Sequence, residues 1–255
     1  MMNLELKDKV VVVTGGTRGI GKQIAIDFLS QGANVVIIAR EHPKGDFFNK
    51  LLSKNSDSLQ LILCDITNVE LMHECFSKIL EKWSRIDIVV SNVGNGMSTQ
   101  KPISDLEQWN NVWNTNFTSA VNIAREFSEE LARNNGSFVF ISSIAGIEFI
   151  GAPTDYSTAK AALIALAKSL SHKLAPSVRV NVVAPGNILT EEGTWKNKLD
   201  KDFEGVTNML NTKVPLRRFG TTEEVSNAVL FLSSSKASFI TGACLVVDGG
   251  QTISI

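Results

Sequence analysis

The chain has 255 residues, 44% of them hydrophobic, and its 25 Lys and Arg against 26 Asp and Glu give a formal charge of −1. That apolar fraction supplies the core of one large α/β domain or two small ones, while balanced, interspersed charge leaves no footprint for nucleic acid or an anionic membrane. Three cysteines with no CxxC, HExxH or ligand-spaced His/Cys cluster argue against a disulfide scaffold and a zinc site, so no metal is expected.

The first residues, MMNLELKDK, lack a basic segment leading into a long apolar one, and no apolar run reaches membrane-spanning length. A soluble, cytoplasmic protein with no membrane partner is therefore expected. Val10–Thr14 is the first of seven short runs rich in Val and Ile. The others are Val35–Ala39, Leu59–Cys64, Ile86–Ser91, Ser137–Ser142, Arg179–Val183 and Cys244–Val247. Apolar residues that do not alternate with polar ones mark strands buried on both faces, as in a parallel sheet flanked by helices. Helical periodicity falls between them, near 20–31, 69–83, 106–133, 156–174 and 222–234. No repeat or Gly/Pro-rich linker interrupts the pattern, which predicts one α/β, doubly wound domain over residues 1–255.

Directly after the first strand, TGGTRGIG occupies residues 14–21 and opens the first helix. Gly15, Gly19 and Gly21 permit a tight turn and let backbone N–H groups at a helix N-terminus approach a pyrophosphate. The spacing GxxxGxG departs from GxGxxG, so the reading rests on the strand-turn-helix position. The second strand ends in VVIIAREHP, where an acidic residue would bind the ribose 2′-hydroxyl of NAD(H). Ala39 and Arg40 stand there instead. With Arg18 approaching from the glycine turn, two guanidiniums suit a 2′-phosphate, which favours NADP(H) over NAD(H). Asp65, in CDIT, is placed to cap the next helix or to hydrogen-bond an adenine.

Tyr156 is the only tyrosine, and Lys160 follows it at i+4 in a segment of helical period, so the two share a face. A neighbouring ammonium favours the phenolate and brings a phenol toward the working range of an acid or base. Ser143 stands thirteen residues before Tyr156. Residues 187–216 lack strong periodicity and read as a substrate lid or specificity loop. Glu148, Asp155 and Trp195 lie near these segments and read individually as surface or packing residues.

TGGTRGIG, SNVG, NTNF, ISSIAG, YSTAK, PGNILT and ITGACLVVDGG, in this order over essentially the whole chain, resemble the short-chain dehydrogenase/reductase superfamily. VPLRRFGTTEEVSNAVLFLSSSKASFITG is similar to the 3-oxoacyl-carrier-protein reductase type. The resemblance implies a Rossmann-like fold with a seven-stranded parallel sheet. It implies reduction of a ketone, with a 3-oxoacyl thioester among the candidate substrates, or the reverse oxidation. It also implies catalytic roles for Ser143, Tyr156, Lys160 and Asn116. Tyr156 would donate the proton and Ser143 polarise the substrate oxygen. Lys160 would hold the nicotinamide ribose and lower the tyrosine pKa, and Asn116 would anchor a water linking Lys160 to solvent.

Cofactor contacts carried over by the same motifs fall on Gly15, Thr17, Arg18, Gly19, Ile20, Gly21, Arg40, Asp65, Ile66, Asn92, Gly94, Tyr156, Lys160, Pro185, Gly186, Ile188 and Thr190. Ser91 and Val93 depart from the family's NNAG segment. Family members pair the helices near 106–133 and 156–174 between subunits. Phe117, Phe127, Leu163 and Leu170 there exceed what one face against a sheet needs, so a homotetramer or homodimer is expected. Two other readings predict different residues or length. A non-catalytic nucleotide sensor on this fold would be expected to lack the tyrosine or lysine, and an epimerase or dehydratase would need a longer chain with a C-terminal substrate domain.

Overall fold

The computed structural model describes residues 3–43 and 45–254. Seven strands form one parallel sheet in the order β3-β2-β1-β4-β5-β6-β7. They are β1 (Val10–Thr14), β2 (Asn34–Ala39), β3 (Leu59–Leu63), β4 (Ile88–Ser91), β5 (Ser137–Ile141), β6 (Arg179–Pro185) and β7 (Cys244–Val247). All seven match expected runs to within two residues. The order reverses between β1 and β4, and it is outside the carboxyl ends of the strands at such a switch point that open α/β sheets bind ligands.

Side chains alternate between two cores. Val10, Val12, Val36, Ile38, Val89, Phe138 and Phe140 point to one face. Val11, Val13, Val35, Ile37, Val90 and Val139 point to the other. The first face is covered by α3 (Val69–Trp83), α5 (Ser119–Arg133) and α6 (Thr154–Lys173), and the second by α1 (Gly19–Ser30) and α9 (Thr222–Ser233). Both faces being apolar is why the strand runs do not alternate.

Three local departures from expectation have physical reasons. A helix α2 (Asp46–Lys54) is not among the expected ones; at nine residues, with only Phe48 fully buried, it is too short to stand out as an apolar segment. The single helix expected over 106–133 is α4 (Leu106–Trp113), a π-helical turn (Asn114–Thr118) and α5. Residues 187–216 are not irregular throughout, since they contain α7 (Thr194–Lys201) and α8 (Phe203–Lys213). No residue of α7 is buried and α8 buries only Val206 and Leu210, so neither carries a strong apolar stripe.

Phe127 and Leu163 are 0% and 1% exposed inside the chain's own core, and Phe117 and Leu170 pack partly against it. Phe127 and Leu163 are thus not spare apolar surface for a second subunit. No helix among the described residues is long and apolar enough to cross a membrane.

Candidate active site

The residues singled out by motif collect at the carboxyl ends of β1 through β6. The glycine turn follows β1, and its path is fixed by Gly15 N–H donating to Ile38 O at 2.8 Å. Gly19 opens α1 with φ +53°, a backbone region that disfavours side chains. The N-cap, Arg18, is extended and gives no side-chain cap, so the first N–H groups of α1 have no side-chain acceptor at the cap. Thr17 and Ile20 are half-buried beside them. From the end of β4, Asn92 Nδ2 donates to Thr14 O (3.1 Å) and Gly15 O (3.3 Å), bracing the turn.

On the facing side Pro185 closes β6 and Gly186 N–H donates to Val247 O at 3.0 Å. Ile188 is buried and bridges Gly220. A β-carbon built on Gly19 would lie 3.6 Å from Thr190 Cγ2, so the two loops face each other across a narrow gap.

Arg18 and Arg40 are both exposed at this rim. Asp65 sits beside Arg40, and buried Ile66 follows it. The Thr67 N–H at 3.0 Å holds the Asp65 carboxyl below the usual range against some desolvation, with the Thr67 hydroxyl and the Arg40 cation adding to the effect. Asp65 does not cap α3. Asn68 does, accepting from Glu70 N–H (3.0 Å) and Leu71 N–H (3.1 Å).

The second group surrounds the start of α6. Tyr156 is half-buried, with the Ser143 hydroxyl close enough to its phenol to lower the phenol's pKa. Ser143 follows β5 and caps a 3-10 turn, Ile144–Gly146, accepting from Ala145 N–H at 3.2 Å. Ser142 is buried and donates to Lys160 O at 2.9 Å, which leaves Ser143 as the hydroxyl beside the phenol.

Lys160, 2% exposed, donates from Nζ to Ile141 O at 3.0 Å. Asn116 is fully buried in the π-helical turn, donating to Val112 O (2.9 Å) and Asn95 O (3.0 Å) and accepting from Asn95 N–H (3.0 Å). A π turn adds a residue to the helix repeat and is often found where a functional side chain is placed. Gly94 joins these groups. A β-carbon there would stand 2.9 Å from both Asn116 Oδ1 and Lys160 Nζ, closer than any side chain permits.

Burial pulls the Lys160 ammonium down to about 8. Burial also pushes the Tyr156 phenol above its ordinary value, with the Ser143 hydrogen bond opposing it. That sign is opposite to the lowering expected from a neighbouring ammonium: Lys160 Nζ lies 5.8 Å from the centre of the Tyr156 ring and is bonded to Ile141 O. A cavity of about 90 Å³, lined in part by Asn95, Gln108, Asn111, Thr115 and Asn116, adjoins the group and has room and polar partners for water.

Sequence reasoning gives Asp155 only a surface or packing role and does not single out Gly96. Asp155 is buried next to Tyr156, and a β-carbon on Gly96 would lie 3.7 Å from Tyr156 Cζ. Nothing local in the sequence signals either placement, because both depend on the segment after β4 folding back across α6.

A model of the enoyl-(acyl carrier protein) reductase family matches residues 15–252. The short-chain dehydrogenase/reductase SDRA of Arabidopsis thaliana is 35% identical over 248 residues, 96% of this chain and 95% of that protein. The 3-oxoacyl-(acyl-carrier-protein) reductase FabG of Chlamydia muridarum is 35% identical over 255 residues, 98% and 100% of the two chains. A 7α-hydroxysteroid dehydrogenase, solved in complex with NADH and 7-oxo glycochenodeoxycholic acid, superposes with a TM-score of 0.85 at 28% identity, covering 99% of this chain and 98% of the other.

Proposed function

The chain belongs to the short-chain dehydrogenase/reductase superfamily of carbonyl/alcohol oxidoreductases, and on that premise we propose that it is an NADP(H)-dependent reductase that converts a ketone to a secondary alcohol. The observation that carries the reading is the buried Lys160 and Asn116 meeting at Gly94, with the Tyr156 phenol beside Gly96 and the Ser143 hydroxyl next to it.

The residues present fit a dinucleotide. The glycine turn and the uncapped start of α1 would hold its phosphates, Arg18 and Arg40 its 2′-phosphate, and Asp65, Ile66, Asn92 and Gly94 the adenosine side. When bound, the nicotinamide supplies the hydride. Hydride addition leaves negative charge on the carbonyl oxygen, so the site needs a proton donor and a second hydroxyl aimed at that oxygen. Tyr156 O–H serves as the donor and Ser143 as the polarising hydroxyl. Lys160 holds the nicotinamide ribose, and Asn116, beside its polar cavity, holds the water through which Lys160 communicates with solvent. Helices α7 and α8, with Thr190 before them, form the lid over the substrate.

Identity to the FabG relative over the full chain favours a 3-oxoacyl thioester as substrate. The second reading is a cyclic ketone, favoured by the likeness to the hydroxysteroid dehydrogenase; a keto sugar is the third. The test is NADPH and NADH oxidation by the purified protein with acetoacetyl thioesters, cyclic ketones and keto sugars. Thioester turnover with NADPH supports the first reading and turnover of another carbonyl reassigns the substrate. NADPH binding with no turnover on the panel leaves the substrate open and raises the sensor reading. Arg40→Asp is expected to shift preference toward NADH, and unchanged preference removes Arg40 from the 2′-phosphate site.

Assembly as a homotetramer or homodimer belongs to the same proposal. Its support is the exposed pair Ile103 and Leu106 with half-buried Trp109 at the start of α4. Light scattering at a mass near 27.8 kDa would overturn it.

A further inference from the structure

The catalytic tyrosine occupies a weak place in its helix. Tyr156 is in the first turn of α6, where N–H groups have no intrahelical acceptor, and the N-cap is Pro153, which offers no side-chain cap. Asp155 fills that gap from inside the turn. Its Oδ1 accepts from the Tyr156 N–H at 2.8 Å. Its Oδ2 accepts from two hydroxyls of the segment that follows β4, Ser98 Oγ at 2.5 Å and Ser104 Oγ at 2.8 Å.

The carboxylate is 2% exposed, and among the described residues it pairs with no cation, so hydrogen bonds alone hold it. A buried carboxylate is costly without such donors. Three donors converging on one side chain, two of them from 51 and 57 residues away, make a fixed joint between α6 and the 95–104 segment. Gly96, on that segment, lies against the Tyr156 ring.

We propose that Asp155 is a positioning residue, holding the Tyr156 phenol at a set distance from the wall formed by residues 95–104 and so fixing where the substrate carbonyl rests. The inference rests on Tyr156 being the proton donor. Asp155 touches neither the reacting atoms nor the cofactor, so its removal is felt in chemistry and ketone binding and not in dinucleotide binding. Misplacement of a reacting group by about 1 Å costs on the order of a hundredfold in rate.

The test compares Asp155→Ala, Asp155→Asn and the double variant Ser98→Ala/Ser104→Ala with the wild-type full chain on the best ketone from the substrate panel. The readouts are kcat, KM for ketone, and NADPH affinity by fluorescence titration. Asp155→Ala is expected to lower kcat/KM for ketone by roughly ten- to a hundredfold, with NADPH affinity essentially that of the wild type. Asp155→Asn keeps a carbonyl for the Tyr156 N–H and an amide for the serine oxygens, so it is expected to restore most of the loss. The double serine variant is expected to fall between them.

Wild-type kcat/KM in Asp155→Ala overturns the inference, as does a loss matched by equal loss of NADPH affinity or one that Asp155→Asn does not relieve. Should Asp155→Ala fail to fold, the serine variant decides: unchanged kcat/KM there overturns the joint. Tyr156→Phe assayed alongside separates the two claims, since retained turnover in that variant sinks the proton-donor reading itself, whatever Asp155 does.

Discussion

At the scale of single residues, Tyr156 and Lys160 are two of the four groups proposed for the chemistry, and each has an environment that can be tested. Tyr156→Phe removes one hydroxyl and leaves the ring, so its packing against Gly96 and α6 is retained. Loss of a positioned acid costs roughly a hundred- to ten-thousandfold in kcat, while NADPH binding is expected to hold. Steady-state kinetics with fluorescence titration checks both, and turnover close to wild type removes Tyr156 from the role. Lys160 supplies a stability prediction with a definite sign. Its folded pKa of about 8 lies below that of a free lysine because burial disfavours the charge. Between those two values the unfolded chain binds the extra proton, so folding stability rises with pH through that window and is level below it. Each pH unit separating the folded and unfolded pKa values is worth about 1.4 kcal/mol. Compared with Lys160→Met, the wild-type protein is therefore expected to gain a few kcal/mol between about pH 7 and pH 10. Urea melts of both proteins at the two pH values measure the difference, and a constant gap would show that the ammonium is not desolvated.

At the scale of elements, the sheet was legible in the sequence and the helices within residues 187–216 were not, for one physical reason. Strands buried on both faces carry unbroken apolar runs such as Val10–Val13, each at most 1% exposed, and these stand out in any window. Helices α2, α7 and α8 are short and bury one residue, none and two, so they leave no comparable apolar run. The shared face of Tyr156 and Lys160 was readable because i and i+4 meet on a helix, whereas the π-helical turn that seats Asn116 leaves no periodic mark of its own. The same argument predicts where the fold is locally weak. Segments with few buried apolar contacts open with free energies well below the global value. Amide exchange over Thr194–Lys201, where nothing is buried, is expected to be near the rate of an open chain, while α6 stays protected. If α7 and α8 act as the lid, NADPH with a ketone slows exchange across 190–213 and leaves α2 unchanged. Equal protection of α7 and α6 without ligand would refute the local weakness.

At the scale of the whole molecule, the two ends of the sheet do different work. The carboxyl ends of the strands hold the candidate site, and the amino ends are tied by a buried carboxylate. Asp87, 3% exposed, accepts from Lys9 Nζ (3.1 Å), Arg85 Nη2 (2.5 Å), Arg85 Nε (3.0 Å) and Val10 N–H (2.9 Å). Its backbone joins β1 through Val10 O and β5 through Ser137 N–H. Burial raises its pKa, but the bonds from Arg85, Val10 and Lys9 outweigh that and hold the carboxyl below its ordinary value. A depressed carboxylate contributes stability that is present above the free-chain value and lost as pH falls through the folded one. Asp87→Asn keeps the shape and removes the charge, leaving Arg85 without its buried partner. With Lys9 and Arg85 nearly half exposed and able to turn to water, it is expected to cost about 1–2 kcal/mol near neutral pH, or about 2–8 °C in Tm for a chain of this length. It should also flatten the acid limb of the stability curve below about pH 4. Because Asp87 lies at the end of the sheet away from Tyr156 and the glycine turn, KM for NADPH is expected to stay at the wild-type value. Denaturant melts across pH, paired with kinetics, check both parts. A changed KM would mean that the strand-end clasp is coupled through β1 and β4 to the glycine turn that Thr14 and Asn92 brace, which the geometry of two separate ends argues against.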